Sequence, residues 1–195
     1  MPATFFYFFE RYCLMRIISG THGGRRINPP AKMPYTRPTT DIAKEGLFNI
    51  LQHKIDFDEL KSLDLFGGTG SISYELASRG VTDLTVVEKD SAMHSFIKKT
   101  SEGLGLQNFK VIKSDVFRFI EQCNEQFDFI FAGPPYALAE IDELPVLIFK
   151  KDLLRKSGYF ILEHTPRNNY KNFPFFDSER NYGTTVFSFF AYKDE

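Results

Sequence analysis

Four short segments carry side chains suited to ligand chemistry. Asp64-Leu-Phe-Gly-Gly-Thr-Gly70 closes an apolar run. Glycines at such a place let the backbone approach a ligand, and a following helix offers free N–H groups to a carboxylate or phosphate. Gly68-x-Gly70-x-x-Ser73 is near the dinucleotide fingerprint without matching it. A tight turn that needs small residues would read the same way. About 20 residues further on, Glu88 ends a second apolar run, where an acid can accept both hydroxyls of a ribose. Acids at strand ends are also often only solvated. Ser114-Asp115-Val116 ends a third run, where a carboxylate can take the amino group of an adenine. Three such loops in succession outline an adenosine-shaped pocket more firmly than any one alone. The fourth segment, Gly133-Pro134-Pro135-Tyr136, closes the run FDFIFA. A buried strand needs no Pro-Pro-Tyr at its end, and a turn can be made with less.

Strands and helices alternate around these segments. Strand patterns cover residues 62–66, 83–90, 109–115, 127–133 and 158–164. Helical patterns follow Gly70, Asp90, Asp115 and Asp142, the last predicted over residues 143–158. A further helix starts at Thr39 or Thr40, with threonine as N-cap, Asp41 in its first turn, and Ile42, Leu47, Ile50 and Leu51 near one face. This alternation predicts an α/β fold with a mostly parallel sheet covered on both faces. Residues 175–180 and 184–192 flank Asn-Tyr-Gly and predict a closing antiparallel hairpin. Residues 15–19 and 25–30 around Thr-His-Gly-Gly predict a small N-terminal β-hairpin. Ligands in such folds bind beyond the carboxyl ends of the strands, where the winding reverses.

The bulk numbers exclude several classes. A chain of 195 residues with 43% hydrophobic and 25% charged residues suits one globular domain. A net charge of -1 excludes a uniformly basic surface, so a polyanion must be met by a local patch. Cys13 and Cys123 lie far apart, and the four histidines show no metal-ligand spacing, so no metal site is expected. No apolar run is long enough to span a bilayer. Free thiols and this composition predict a cytoplasmic location. Residues 1–14 are read as an extension ahead of a start at Met15, the other reading being an aromatic tail that packs on a partner. Residues 15–38 then form the hairpin and loop, and residues 39–195 the main domain. The sequence leaves the oligomeric state open, and a monomer is favoured.

The order Asp64-Leu-Phe-Gly-Gly-Thr-Gly, Glu88, Ser-Asp115, Pro134-Pro135-Tyr136 resembles a class I S-adenosylmethionine (SAM) methyltransferase that acts on an amino group. Met15-Arg-Ile-Ile-Ser-Gly with Gly-Gly-Arg-Arg26, Arg37-Pro-Thr-Thr-Asp41, Lys44-Glu45 and Tyr182-Gly-Thr184 narrow the resemblance to the RsmD-like enzymes. These methylate the N2 amine of a guanine in bacterial 16S ribosomal RNA. The resemblance covers residues 15 to 192. It implies a Rossmann-like SAM methyltransferase sheet and a SAM cofactor held by Asp64, Phe66, Gly67, Gly68, Gly70, Glu88, Asp115 and Val116. It implies catalysis at Gly133, Pro134, Pro135 and Tyr136. The substrate is 16S rRNA or a small-subunit assembly intermediate, met by Arg16, Arg25, Arg26, Arg37 and Thr39 in a hairpin and loop that touch RNA.

In that family type the motif is Asp or Asn, Pro, Pro, aromatic. The first side chain and the carbonyl of the first proline accept the hydrogens of the amine, and the ring stacks on the flipped base. Here Gly133 stands in the first position and brings no acceptor. Water or another acid, Asp41 or Asp128, can substitute. Otherwise the enzyme is slow or takes another amine, such as a DNA adenine or a protein glutamine, or it binds RNA without efficient catalysis. On the first reading Gly133→Asp raises turnover. A nicotinamide-dependent oxidoreductase accounts for the glycine loop and Glu88 but leaves the Pro-Pro-Tyr segment idle. From Met15 to Thr40 there are five cations, Arg16, Arg25, Arg26, Lys32 and Arg37, and no acid. That polarity suits phosphate, which arginine grips with two donors. A second cluster, Lys150, Lys151, Arg155 and Lys156, is expected near a helix end.

Overall fold

The computed structural model describes residues 15–30 and 39–193. In chain order the elements are β1 (Met15–Arg16), β2 (Arg26–Ile27), α1 (Asp41–Leu51), β3 (Lys61–Asp64), α2 (Ser71–Ser78), β4 (Asp83–Glu88) and α3 (Ser91–Leu104). There follow β5 (Phe109–Lys113), α4 (Val116–Gln122), β6 (Phe127–Ala132), α5 (Glu143–Lys150), β7 (Leu154–His164), β8 (Phe176–Tyr182) and β9 (Thr185–Phe190). The seven long strands form one sheet in the order β5-β4-β3-β6-β7-β9-β8. Pairing is parallel from β5 to β7 and antiparallel through β9 and β8. β1 and β2 make the separate antiparallel pair. The winding reverses between β3 and β6, which opens a crevice at their carboxyl ends.

Alternate residues of β4, β6, β7 and β9 enter two apolar clusters, one on each face. Along β6, Phe129 and Phe131 join the cluster that includes Leu47, Phe48, Tyr74 and Ile97. Ile130 and Ala132 join the one with Ile120, Leu144 and Ile148. Period-two burial on both faces is what a helix-covered parallel sheet demands. The small β1–β2 sheet shares the first cluster through Met15, Ile17 and Ile27. Polar bonds sew it down as well. The buried Glu75 carboxylate accepts the N–H groups of Ile18 at 2.7 Å and Ser19 at 3.1 Å, and pairs with Arg79 at 2.9 Å. Buried Lys44 donates to the Arg16 carbonyl at 2.6 Å and to Ser71 Oγ at 3.0 Å.

α1 begins as expected, with the Thr40 hydroxyl accepting from the Ala43 N–H. Its buried stripe runs through Ala43, Leu47 and Leu51, with Lys44 and Phe48 beside it. Ile42 lies one 100° step off that stripe and is 77% exposed, contrary to the face assigned from sequence. A Cβ at Gly46 would run into the Tyr182 ring, so the absent side chain lets the β8–β9 hairpin close on α1.

One helix is shorter than its pattern suggested. α5 stops at Lys150, and Asp152 takes a left-handed φ of 52° that turns the chain into β7. β7 opens at Leu154, and its register against β6 jumps from Phe127↔Leu154 to Phe129↔Tyr159. This bulge carries Arg155 and Lys156, so the second basic cluster is split between a helix end and a strand. Arg155 pairs with Asp128 at 2.8 Å.

Candidate active site

The register of the central strands assembles the site. Asp64 of β3 pairs with Phe131 of β6, so the glycine turn after β3 and the Gly133–Tyr136 segment after β6 leave the same sheet edge. β4 runs parallel beside β3 and delivers Glu88 to that edge. Ala132 of β6 pairs with Leu162 of β7, which sets Gly133 beside Glu163.

The glycine turn is tightly built. A Cβ at Gly67 would lie 2.7 Å from Val86 Cγ1 and 2.8 Å from Ile97 Cδ1, so no larger residue fits without displacing the core. Gly70 takes a φ of 81° and precedes α2, whose first turn has no side-chain cap. Glu88 braces the turn: its Oε2 accepts the Gly68 N–H at 2.8 Å and its Oε1 the Asp90 N–H at 2.7 Å. Each of these oxygens keeps a second lone pair. Asp115 caps α4 through Oδ1, which accepts from Phe117 at 3.0 Å and Arg118 at 3.4 Å. Val116 is buried behind it, and Phe66 is half-buried at the turn.

Asp64 is fully buried, and burial pushes its carboxyl up to about 6. Its Oδ2 accepts from Ser73 at 2.6 Å, while Oδ1 has no hydrogen-bond partner among the described residues. Such an orphaned acceptor beneath a glycine turn is costly in a protein at rest.

Sequence reasoning missed Glu163. It is 4% exposed, and burial is the main cause that pushes its carboxyl up to about 7. Its Oε2 accepts from the Thr39 hydroxyl at 2.6 Å, and its Oε1 faces the Tyr136 hydroxyl at 3.5 Å. That hydroxyl also lies 3.2 Å from Thr185 Oγ1, and Tyr136 as a whole remains 40% exposed. The available signal was an acid at the carboxyl end of a central strand, the same signal that singled out Glu88.

Both substitute acids proposed from sequence face arginines. Asp128 lies at the opposite end of β6, where it pairs with Arg155 and accepts the Lys61 N–H at 3.0 Å. Asp41 faces Arg16 at 4.0 Å on the half-exposed start of α1. The hydroxyl of Thr39, expected to meet RNA, donates to Glu163. Arg25 and Arg26 are exposed on the hairpin. Arg37 and Lys32 lie outside the described residues.

Two buried carboxyls with raised pKa make stability depend on pH. Folded Glu163 holds its proton up to about 7, against 4.5 when exposed. The folded state therefore binds more protons across that window, and stability is lost as pH rises through it. The contribution is on the order of 3 kcal/mol. Thermal melting between pH 5 and 8 is expected to fall more steeply for the wild type than for Glu163→Gln. Parallel curves would contradict this burial.

A family model described as Conserved hypothetical protein 95 matches residues 15–191. The chain belongs to this family, the RsmD family. Its relatives include Bacillus subtilis YlbH, 33% identical over 77% of this chain and 82% of that one. The Haemophilus influenzae ribosomal RNA small subunit methyltransferase D is 31% identical over 76% of this chain and 78% of its own. The solved Escherichia coli yhhF structure superposes with a TM-score of 0.79 at 25% identity, covering 92% of this chain and 99% of that one. The Thermus thermophilus 16S rRNA N2 G1207 methyltransferase, solved with AdoMet and guanosine, shares the fold at a TM-score of 0.65 and 23% identity. It covers 82% of this chain and 45% of that one. The RsmD-family sheet is thus the class I methyltransferase sheet, with its closing antiparallel hairpin.

Proposed function

We propose that this protein transfers a methyl group from S-adenosylmethionine to the exocyclic N2 amine of a guanine in small-subunit ribosomal RNA. One observation carries the reading: a glycine turn built for close backbone approach and a Pro-Pro-Tyr segment leave neighbouring strands at the point where the sheet's winding reverses. Relatives named for small-subunit rRNA methylation support the RNA substrate.

The residues present fit the donor. Asp64 Oδ1, buried and unpartnered among the described residues, offers an acceptor to an ammonium group. The uncapped first turn of α2 offers N–H groups to a carboxylate. Glu88, held by two backbone N–H groups, presents its remaining lone pairs to ribose hydroxyls. Asp115 does the same for the adenine amine with the oxygen not used in capping α4. Bound there, S-adenosylmethionine supplies a methyl carbon already activated on a sulfonium.

The chain's own residues then orient the acceptor. The Tyr136 ring gives the flipped guanine a stacking plate. The prolines fix the backbone so that the Pro134 carbonyl can take one amine hydrogen. Proximity and alignment supply much of the acceleration, because the leaving group needs no help. Arg25 and Arg26, with Arg16 and Arg37, meet phosphates and set the register without reading sequence.

Incubating the protein with methyl-labelled SAM and small-subunit RNA, free or in stripped particles, and separating the nucleosides tests the reading. Label is expected in N2-methylguanosine. Label in N6-methyladenosine, or transfer only to DNA or protein, would overturn it.

A further inference from the structure

We propose that Glu163 is a catalytic residue of this methyltransferase, supplying from β7 the amine-accepting carboxylate that the Pro-Pro-Tyr motif lacks at Gly133. The inference rests on an amino group being the methyl acceptor.

The geometry is specific. A Cβ at Gly133 would lie 3.5 Å from Glu163 Oε2. One more carbon and an oxygen would carry an aspartate from that Cβ into the space the Glu163 carboxylate already fills. The carboxylate of the motif has moved one strand over, and the glycine leaves room for it. Gly133 does not have a left-handed φ, so the backbone does not demand glycine there. What a side chain would meet is the Phe131 ring at 3.0 Å and Glu163 itself.

Two further contacts fix the Glu163 carboxylate beside the Pro-Pro-Tyr segment. Thr39 holds Oε2 and the Tyr136 hydroxyl faces Oε1, so the stacking plate and the start of α1 converge on one carboxylate. The other carboxylates weighed for this role face arginines. Asp128 is paired at the far end of β6, and Asp41 faces Arg16. A carboxyl held near 7 is also well matched to taking a proton at neutral pH.

The step balances simply. The amine nitrogen gives its lone pair to the methyl carbon, the carbon–sulfur electron pair stays with sulfur, and the proton shed by nitrogen passes to Glu163 and then to solvent. Before that, the ionised carboxylate accepts one N–H of the amine and favours a pyramidal nitrogen.

This changes the expectation for Gly133→Asp. In the wild-type background a second carboxylate would sit against the first, and like charges that close share a proton. No gain in turnover is expected. In a Glu163→Ala background the same aspartate takes the vacated place.

The test compares wild type, Glu163→Gln, Glu163→Ala and Glu163→Ala/Gly133→Asp. The measurements are thermal melting, calorimetric SAM affinity, single-turnover methylation and product identity. Glu163→Gln is expected to fold, to bind SAM within about twofold of wild type, and to lose about 100-fold or more in the chemical step. The double variant is expected to exceed Glu163→Ala by at least about tenfold. Wild-type turnover in Glu163→Gln overturns the proposal. So does a folded, SAM-binding double variant no faster than Glu163→Ala. The wild-type product, read first, separates the two readings. Methyl on an amine other than guanine N2 counts against the substrate, and the Glu163 comparison then runs on the amine that is modified.

Discussion

Tyr136→Ala is expected to lower kcat/KM on small-subunit RNA by about 5- to 150-fold while SAM affinity stays unchanged. The range follows from base–aromatic stacking, which contributes about 1–3 kcal/mol per base. The ring stands beyond β6 and is 40% exposed, with its hydroxyl between Glu163 and Thr185. Removing it takes away the plate and one partner of the Glu163 carboxylate together. Tyr136→Phe separates these effects. It keeps the plate and loses the hydroxyl, so it should fall much less than alanine. A Phe variant as poor as the Ala variant would show that the hydroxyl, not the ring face, carries the effect. Steady-state kinetics with calorimetry on the same preparations measures both.

Gly67→Ala is expected to abolish measurable SAM binding at concentrations that saturate the wild type. The argument is steric. The new Cβ would sit 2.7 Å from Val86 Cγ1 and 2.8 Å from Ile97 Cδ1, both side chains of the main apolar cluster. Either the core yields, at about 1–3 kcal/mol of stability, or the turn lifts away. Lifting breaks the Gly67 N–H bond to the Val87 carbonyl at 2.9 Å and pulls Gly68 from Glu88. Both routes deform the backbone proposed to face the donor. A Gly67→Ala protein that melts like wild type and binds SAM with unchanged affinity would remove the turn from the cofactor site.

Most of the sheet was legible because its strands end in residues that a plain strand does not need. Gly67, Gly68 and Gly70 after β3, Glu88 after β4 and Asp115 after β5 each mark a carboxyl end. Alternation with helices then fixes parallel pairing. What stayed hidden depended on neighbours that sequence does not name. The start of β7 reads as a continuation of α5, because Leu153 and Leu154 extend its apolar pattern. The turn at Asp152 and the bulge opposite Phe127 are set by the pairing with β6. Gly158 sits in that bulge, where a Cβ would lie 2.6 Å from the Asp128 carbonyl.

The candidate site was half legible for the same reason. Gly133 looked like a defect so long as the motif was read along one strand. Across strands it faces Glu163, a residue 30 positions later whose importance lies only in the β6–β7 register. Thr39 carries a similar lesson. Its place in the Arg-Pro-Thr segment suggested a role toward RNA, and its bond to the buried carboxylate depends on a neighbour far along the chain. Buried Glu163 and Asp64 run against stability at neutral pH, a burden that functional sites commonly carry.

The central claim is that the pocket at the sheet edge methylates one guanine on N2. The most direct measurement maps N2-methylguanine in 16S rRNA from cells with and without this gene, with the gene restored as wild type or as Tyr136→Ala. The account predicts one N2-methylated guanine that vanishes with the gene, returns with the wild type and returns weakly or not at all with the variant. An unchanged map, or the loss of a different modified nucleoside, would contradict it.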